Sequence, residues 1–184
     1  MGIEAAFTAE AQQAVFRQLL EATARPGRVY RLSGAEADLR AHFQVLSCLV
    51  DGSASLSDSG QHLSPRQWSL LQARAAEAEQ AQFILADGSQ PPLFSPSLGT
   101  LESPEYGATL IVTVDVIGHG PMELACQGPG IDGQQGLRLS GLTRAWLSAR
   151  RDWNASFPLG VDIYLADACR VCALPRTTTV TIQS

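Results

Sequence analysis

The chain has 184 residues, 45% hydrophobic and 17% charged, with a net charge of −5. That make-up suits one globular domain, residues 1–184, and the acidic balance argues against a nucleic-acid binder or a membrane-surface protein. All 13 basic residues are arginine, so chemistry that needs a lysine amine, a Schiff base or the usual phosphate-loop ATPase, is not carried by this chain alone.

The first residues show no basic region followed by a long apolar run, and no secretory signal is expected. No apolar stretch reaches the roughly 18 residues of a membrane span. Four cysteines then read as reduced thiols of a cytoplasmic protein.

Thr8 caps a first helix, with Val15, Phe16, Leu19, Leu20 and Thr23 on one face. Arg25-Pro26-Gly27 stops it. Val29 to Leu32 suits a short strand. Ser33 or Gly34 opens a second helix containing Leu39, Phe43, Leu46 and Val50, and Asp51-Gly52 is a turn. Ser53 to Ser59 is small and polar. Ser64-Pro65-Arg66-Gln67 is a strong helix start, with a capping box and proline at the first helical position. Trp68, Leu71 and Ala75 mark that helix's buried side.

Phe83 to Ala86 reads as a core strand ended by Asp87-Gly88. Gln90 to Tyr106, with four prolines, reads as a long surface loop. Gly107 to Val116 is the best strand of the chain. Met122 to Gln127 follows as another, and the Gly118-His119-Gly120-Pro121 turn between them suggests a hairpin. A glycine-rich loop, Gly128 to Gly133, leads to an extended segment with Leu137, Leu139 and Leu142. Thr143 caps a last helix ending in Arg150 and Arg151, which suit its negative end.

Val161, Ile163 and Leu165 alternate with Asp162, Tyr164 and Ala166, the period of a half-buried strand. Val171 to Leu174 is a second strand, ended by Pro175. Three threonines and Val180 favour extended chain again. Helices dominate the first half and strands the second, which predicts one mixed α/β layer structure.

Candidate chemistry is sparse. Cys169-Arg170-Val171-Cys172 has redox or zinc spacing, but in a strand residues three apart point to opposite faces. Buried packing is the favoured reading of that pair, with zinc, helped by Cys126 and His119, the alternative. Gly128-Pro129-Gly130 offers backbone amides to a phosphate, but Pro129 removes one donor and the stretch matches neither the dinucleotide nor the phosphate-loop pattern, so a strand-ending turn is favoured. Arg28, Arg31, Arg144, Arg150, Arg151 and Arg176 supply an anion site only if folding gathers some of them. Arg176 stands out because its Pro-Arg-Thr setting fixes the backbone presenting it. Asp162 and Glu105 lie beside the two most distinctive loops. His42, beside Phe43, reads as core-edge packing, and His119 as a turn residue.

The pieces that carry a family resemblance run the length of the chain. They begin with Phe16-Arg17 and Arg25-Pro26-Gly27. They continue through Phe83-Ile84-Leu85-Ala86-Asp87, Pro104-Glu105-Tyr106-Gly107-Ala108-Thr109 and Gly128-Pro129-Gly130-Ile131. They end with Phe157-Pro158-Leu159-Gly160-Val161-Asp162 and Leu174-Pro175-Arg176-Thr177-Thr178. In their order and spacing, more than in any one of them, the chain resembles the PhnH family of the bacterial carbon–phosphorus lyase core complex.

The resemblance implies a three-layer α/β/α sandwich like the pyridoxal-phosphate-dependent transferase core, without the cofactor. It implies a non-catalytic or co-catalytic subunit for phosphonate catabolism, in which an alkylphosphonate displaces adenine from ATP to give a ribose 1-phosphonate 5-triphosphate. The nucleosidase step and the radical step fall to two other members of the complex. The partners implied are a second copy of the chain and the G, I and J subunits, with ATPase-like subunits. The complex uses MgATP, and this chain is expected to bind no cofactor and no metal. Arg176, Asp162, Glu105, Gly128, Gly130 and Arg28 are the expected ligand or interface residues. The alternative is a stand-alone, arginine-lined phosphate- or phosphonate-binding protein or enzyme.

Overall fold

The computed structural model describes residues 3–33 and 39–183. Strands are β1 (Tyr30–Arg31), β2 (Ser55–Asp58), β3 (Arg74–Ala75), β4 (Phe83–Asp87), β5 (Thr109–Thr113), β6 (Val116–Gln127), β7 (Gln135–Ser140), β8 (Asp162–Ala166), β9 (Arg170–Leu174) and β10 (Thr179–Ile182). Helices are α1 (Ala9–Ala24), α2 (Ala41–Leu49), α3 (Pro65–Leu71) and α4 (Arg144–Trp153).

Seven strands form one sheet in the order β1-β9-β8-β5-β4-β2-β3. From β8 to β3 neighbours run parallel, while β9 and β1 are antiparallel additions at one edge. The fold class is α/β, with a large and mostly parallel sheet. Its central strands are apolar on both faces, as a sheet covered on both sides requires. Leu85, Ile111, Ala166 and Val171 face α1 and α2. Ile84, Leu110, Val112, Ile163 and Leu165 face the opposite way. That second face is covered by a three-stranded antiparallel sheet, β10-β6-β7, together with α4. The outer layer on that side is therefore a small sheet plus one helix.

Local signals explain most boundaries. The Thr8 side chain accepts from the Ala11 N–H and starts α1, and Gly27 at φ 80° turns the chain after it. Ser64 and Gln67 make the complete capping box of α3. Thr143 precedes α4 without a side-chain capping bond. No helix among the described residues is long and apolar enough to cross a membrane.

Several expectations are corrected. Phe16 and Leu20 are 47% and 55% exposed, and the buried face of α1 is Val15, Leu19 and Ala22. Helix α2 begins only at Ala41; Ser33 lies in a turn, and Gly34 falls outside the described residues. Helix α3 ends at Leu71, with Gln72 left-handed, so Ala75 lies in β3 and is exposed. Residues 118–121 make no hairpin: β6 runs straight through them with a bulge between Ile117 and Met122. The hairpin is β6–β7, and the glycine-rich loop is its connection. The polar stretch 53–59 contains a buried strand, β2. Leu56 packs under the helices, while Ser55 is tied to Gln82 through both its N–H and its hydroxyl, each at 3.0 Å.

Candidate functional site

Asp162 and Arg176 lie 14 residues apart, and the antiparallel pairing of Ile163 with Leu174 brings them to one end of the β8–β9 ladder. The Arg176 N–H donates to Asp162 Oδ1 at 2.8 Å. Arg176 Nε and Nη2 donate to Asp162 Oδ2 at 3.2 and 2.8 Å, a forked pair of the kind only arginine makes. Nη1 donates to the carbonyls of Pro104 at 2.8 Å and Pro158 at 3.2 Å. One guanidinium thus fastens the 98–107 loop, the 157–160 loop and the end of β8. Gly107 lies between it and the 157–160 loop: a Cβ there would collide with the Gly160 carbonyl oxygen and meet both Nη atoms at 3.0 Å, and the backbone contact admits no side chain. Glu105, Tyr106 and Phe157, on the loops so fastened, are exposed.

Gly128 lies against the turn that follows Arg176. At φ 140°, a Cβ there would meet the Thr177 carbonyl oxygen at 2.7 Å. Gly130 packs on the Ala24 carbonyl at the end of α1. The three sequence pieces Pro104-Glu105, Gly128-Pro129-Gly130 and Pro175-Arg176-Thr177 therefore meet around one turn.

Arg28 is elsewhere, in a shallow cleft of about 490 Å³ shared with Arg138 and Glu123. Arg138 donates to Glu123 at 2.8 Å, which neutralises half of that cleft's positive charge. Arg31, Arg144 and Arg151 are exposed. Arg150 is not a surface charge at a helix end: it is 4% exposed and its Nη2 donates to Pro175 O at 2.6 Å and Thr178 O at 2.8 Å. Burial holds its pKa down at about 10, with Cys126 and Asp162 partly offsetting that.

Cys172 is buried in β9 and burial pushes its thiol far up. Cys126 is likewise pushed up to about 11 by burial. Neither is a ready nucleophile. Cys169 sits before β9, its N–H donating to Asp167 at 2.9 Å, and His119 is exposed on the β6 bulge. Among the described residues no three His, Cys, Asp or Glu side chains are grouped to hold a metal ion.

Sequence reading missed two features. Asp167, 4% exposed, accepts from the N–H groups of Ile117, Cys169 and Arg170 and pairs with Arg170 Nε at 2.8 Å. Only its place between two strands hinted at this turn. The second is a crevice of about 590 Å³ at the carboxyl ends of β3, β2 and β4. It holds none of the sequence candidates.

The family of bacterial phosphonate metabolism proteins, PhnH, matches residues 5–181. The chain belongs to the PhnH family. A Stutzerimonas stutzeri C-P lyase protein, HtxG, is 44% identical over 173 residues, covering 94% of this chain and 87% of the relative. The alpha-D-ribose 1-methylphosphonate 5-triphosphate synthase subunit PhnH of Rhizobium meliloti (strain 1021) is 31% identical over 177 residues, covering 90% and 88%. The PhnH match takes in every piece gathered around Arg176.

Proposed function

We propose that this chain is a non-catalytic or co-catalytic subunit of a carbon–phosphorus lyase core complex. It serves the step that joins an alkylphosphonate to the ribose of ATP, releasing adenine and forming a ribose 1-phosphonate 5-triphosphate. The observation that carries this reading is the end-to-end family match, residues 5–181, with relatives covered over most of their own length. The arrangement around Arg176 supports it. Four of the five guanidinium N–H groups donate to protein oxygens, so the guanidinium acts as a fastener of loops more than as a phosphate ligand. The fastened loops carry Leu101, Tyr106 and Phe157 at 75%, 64% and 68% exposure, apolar surface suited to a partner.

In this reading the whole chain acts as one cytoplasmic domain, a variant of the pyridoxal-phosphate transferase core that binds no cofactor. It pairs with itself and with the G, I and J subunits, while the complex handles MgATP. The Arg28–Arg138 cleft gives a stand-alone phosphate binder some footing. Glu123 already occupies Arg138 there, and the reading as part of the complex is preferred.

The test uses the tagged chain in cells expressing the whole phosphonate operon, followed by an adenine-release assay from ATP and methylphosphonate. Co-purification of the other subunits, with adenine release lost when this chain is left out, is the expected result. Activity or ligand binding by the chain alone, with no partners recovered, overturns the reading.

A further inference from the structure

The crevice at the sheet's carboxyl edge has a physical origin in β2. Strand residues alternate between faces. Leu56 packs under the helices, so Ser55 and Ser57 face the other side. Ser55 is bonded to Gln82, whereas Ser57, only 7% exposed, makes no side-chain hydrogen bond among the described residues and lines the crevice. Its neighbours on the floor, Ala76, Ala78 and Ala86, are too small to fill the space.

The place is also one where ligands are expected. β2, β3 and β4 run parallel, and the chain leaves β2 first to one side, for β3, and then returns to the other, for β4. A crevice outside the carboxyl ends of strands at such a switch point is the usual ligand position of open α/β sheets. Its volume lies in the range of small-molecule sites, about 300–1,000 Å³.

The walls specify the ligand. Trp146 and Phe94 stand edge to face at 6.1 Å, and the Trp146 indole N–H donates to Gln90 O at 2.7 Å, which ties the wall to the 90–94 loop. Trp68 stands on another side. Asp58, Asp87, Glu77 and Glu79 complete the lining, and no arginine or histidine is part of it. Backbone N–H groups of His62 and Leu63 hold Asp58 at 3.0 and 2.9 Å, and that of Ser89 holds Asp87 at 2.8 Å. An ionised carboxylate has about four acceptor positions, so both keep capacity for a ligand.

We propose that this crevice binds a small, flat organic cation of the amidinium or amino-heterocycle class. The ring lies against Phe94 and Trp68, the partly exposed aromatic walls, in a cation–π arrangement, and its N–H groups are accepted by the carboxylates and Ser57. Phosphates and phosphonates carry the wrong charge for it. The site is separate from the loops around Arg176 and does not rest on the function proposed above.

The test titrates the full chain with benzamidine and, as a match in size and shape but opposite in charge, benzoate. Tryptophan fluorescence and calorimetry are the readouts. Saturable benzamidine binding is expected, with benzoate at least tenfold weaker. Ser57→Val is expected to weaken benzamidine at least fivefold. The exposed pair Glu77→Gln and Glu79→Gln, which leaves the core untouched, is expected to weaken it about tenfold and keeps the test sound if the serine variant fails to fold. Absence of saturable binding, equal binding of benzoate, or benzamidine binding unchanged in the folded variants overturns the proposal.

Discussion

Arg176 joins segments that are far apart in the chain, and the consequence is measurable. The ion pair with Asp162 is shielded on the arginine side and part-exposed on the other, with side chains 14% and 36% exposed. Removing the guanidinium leaves two carbonyls and a carboxylate short of donors. Hydrogen bonds to charged groups contribute about 1.5–3 kcal/mol each, and stranding buried partners adds to the loss. Arg176→Ala is therefore expected to lower unfolding stability by about 2–3 kcal/mol, read as a lower urea midpoint. Arg176→Lys should recover little, because one ammonium cannot fork onto Asp162 and reach two carbonyls as well. An unchanged midpoint in the alanine variant would show that the bonds are replaced by water at no cost. His42 gives a second prediction at this scale. Burial, with positive charge at His62 and Arg40 adding to it, lowers its pKa from 6.5 to about 4. Between those values the unfolded chain binds the proton and the folded chain does not. The His42 contribution is thus complete above pH 6.5 and is lost as pH falls towards 4. A urea midpoint that falls from about pH 7 to about pH 5 in the parent, and falls distinctly less in His42→Gln, is the expected outcome. Parallel pH profiles would remove His42 as the cause.

Among the elements, α1 separates packing from surface most clearly. Leu19 is 2% exposed, whereas Phe16 and Leu20 on the neighbouring stripe are largely open. Leu19→Ala should cost about 2–5 kcal/mol, the range for large-to-small core changes. The double change Phe16→Ser and Leu20→Ser should stay within about 0.5 kcal/mol per site of the parent, as surface changes do. Thermal unfolding of the two proteins decides it; a large loss in the double variant would place that stripe in the core. The helical spacing of Phe16 and Leu20 was plain in the sequence, but spacing reports a possible face and not whether anything covers it. The same limit explains the other misses. β4, β8, β9 and the capping box of α3 were legible because alternation and capping are local. β2 was hidden because Ser55 and Ser57 are polar yet buried, and Ser55 is held by Gln82, 27 residues away. The bulge of β6 was mistaken for a turn because Gly118 and Gly120 both take positive φ there, which a turn also requires. At the candidate site, Arg176 and Asp162 were identifiable by their setting. Their bond to each other depends on strand register, and the Pro104 partner lies 72 residues away. Neither follows from composition or spacing.

Across the whole molecule, the two apolar clusters lie on opposite faces of one sheet and share β4, β5, β8 and β9. The helix-side layer is integrated through α1 and α2, which pack on each other and on β9 and β5. The opposite layer has a weaker seam. Among the described residues β10 pairs only with β6, and Arg150 of α4 ties down the chain just before β10 begins, its Nη2 holding both Pro175 O and Thr178 O. Elements joined by few buried contacts open at lower free energy than the rest. Arg150→Ala strands those carbonyls in a buried place and should loosen β10 without dissolving the main sheet. Hydrogen exchange is the suitable measurement. Protection of the amides Thr181 and Gln183, whose N–H groups face β6, is expected to fall about 100-fold, and that of Leu85, Ile111 and Leu165 by no more than the change in global stability. Arg150→Met, which keeps the apolar stem, should show the same local loss with a smaller global one, since the packing of the stem survives. Equal loss of protection in both sheets would mean that Arg150 supports the common core, and that the layers open as a single unit.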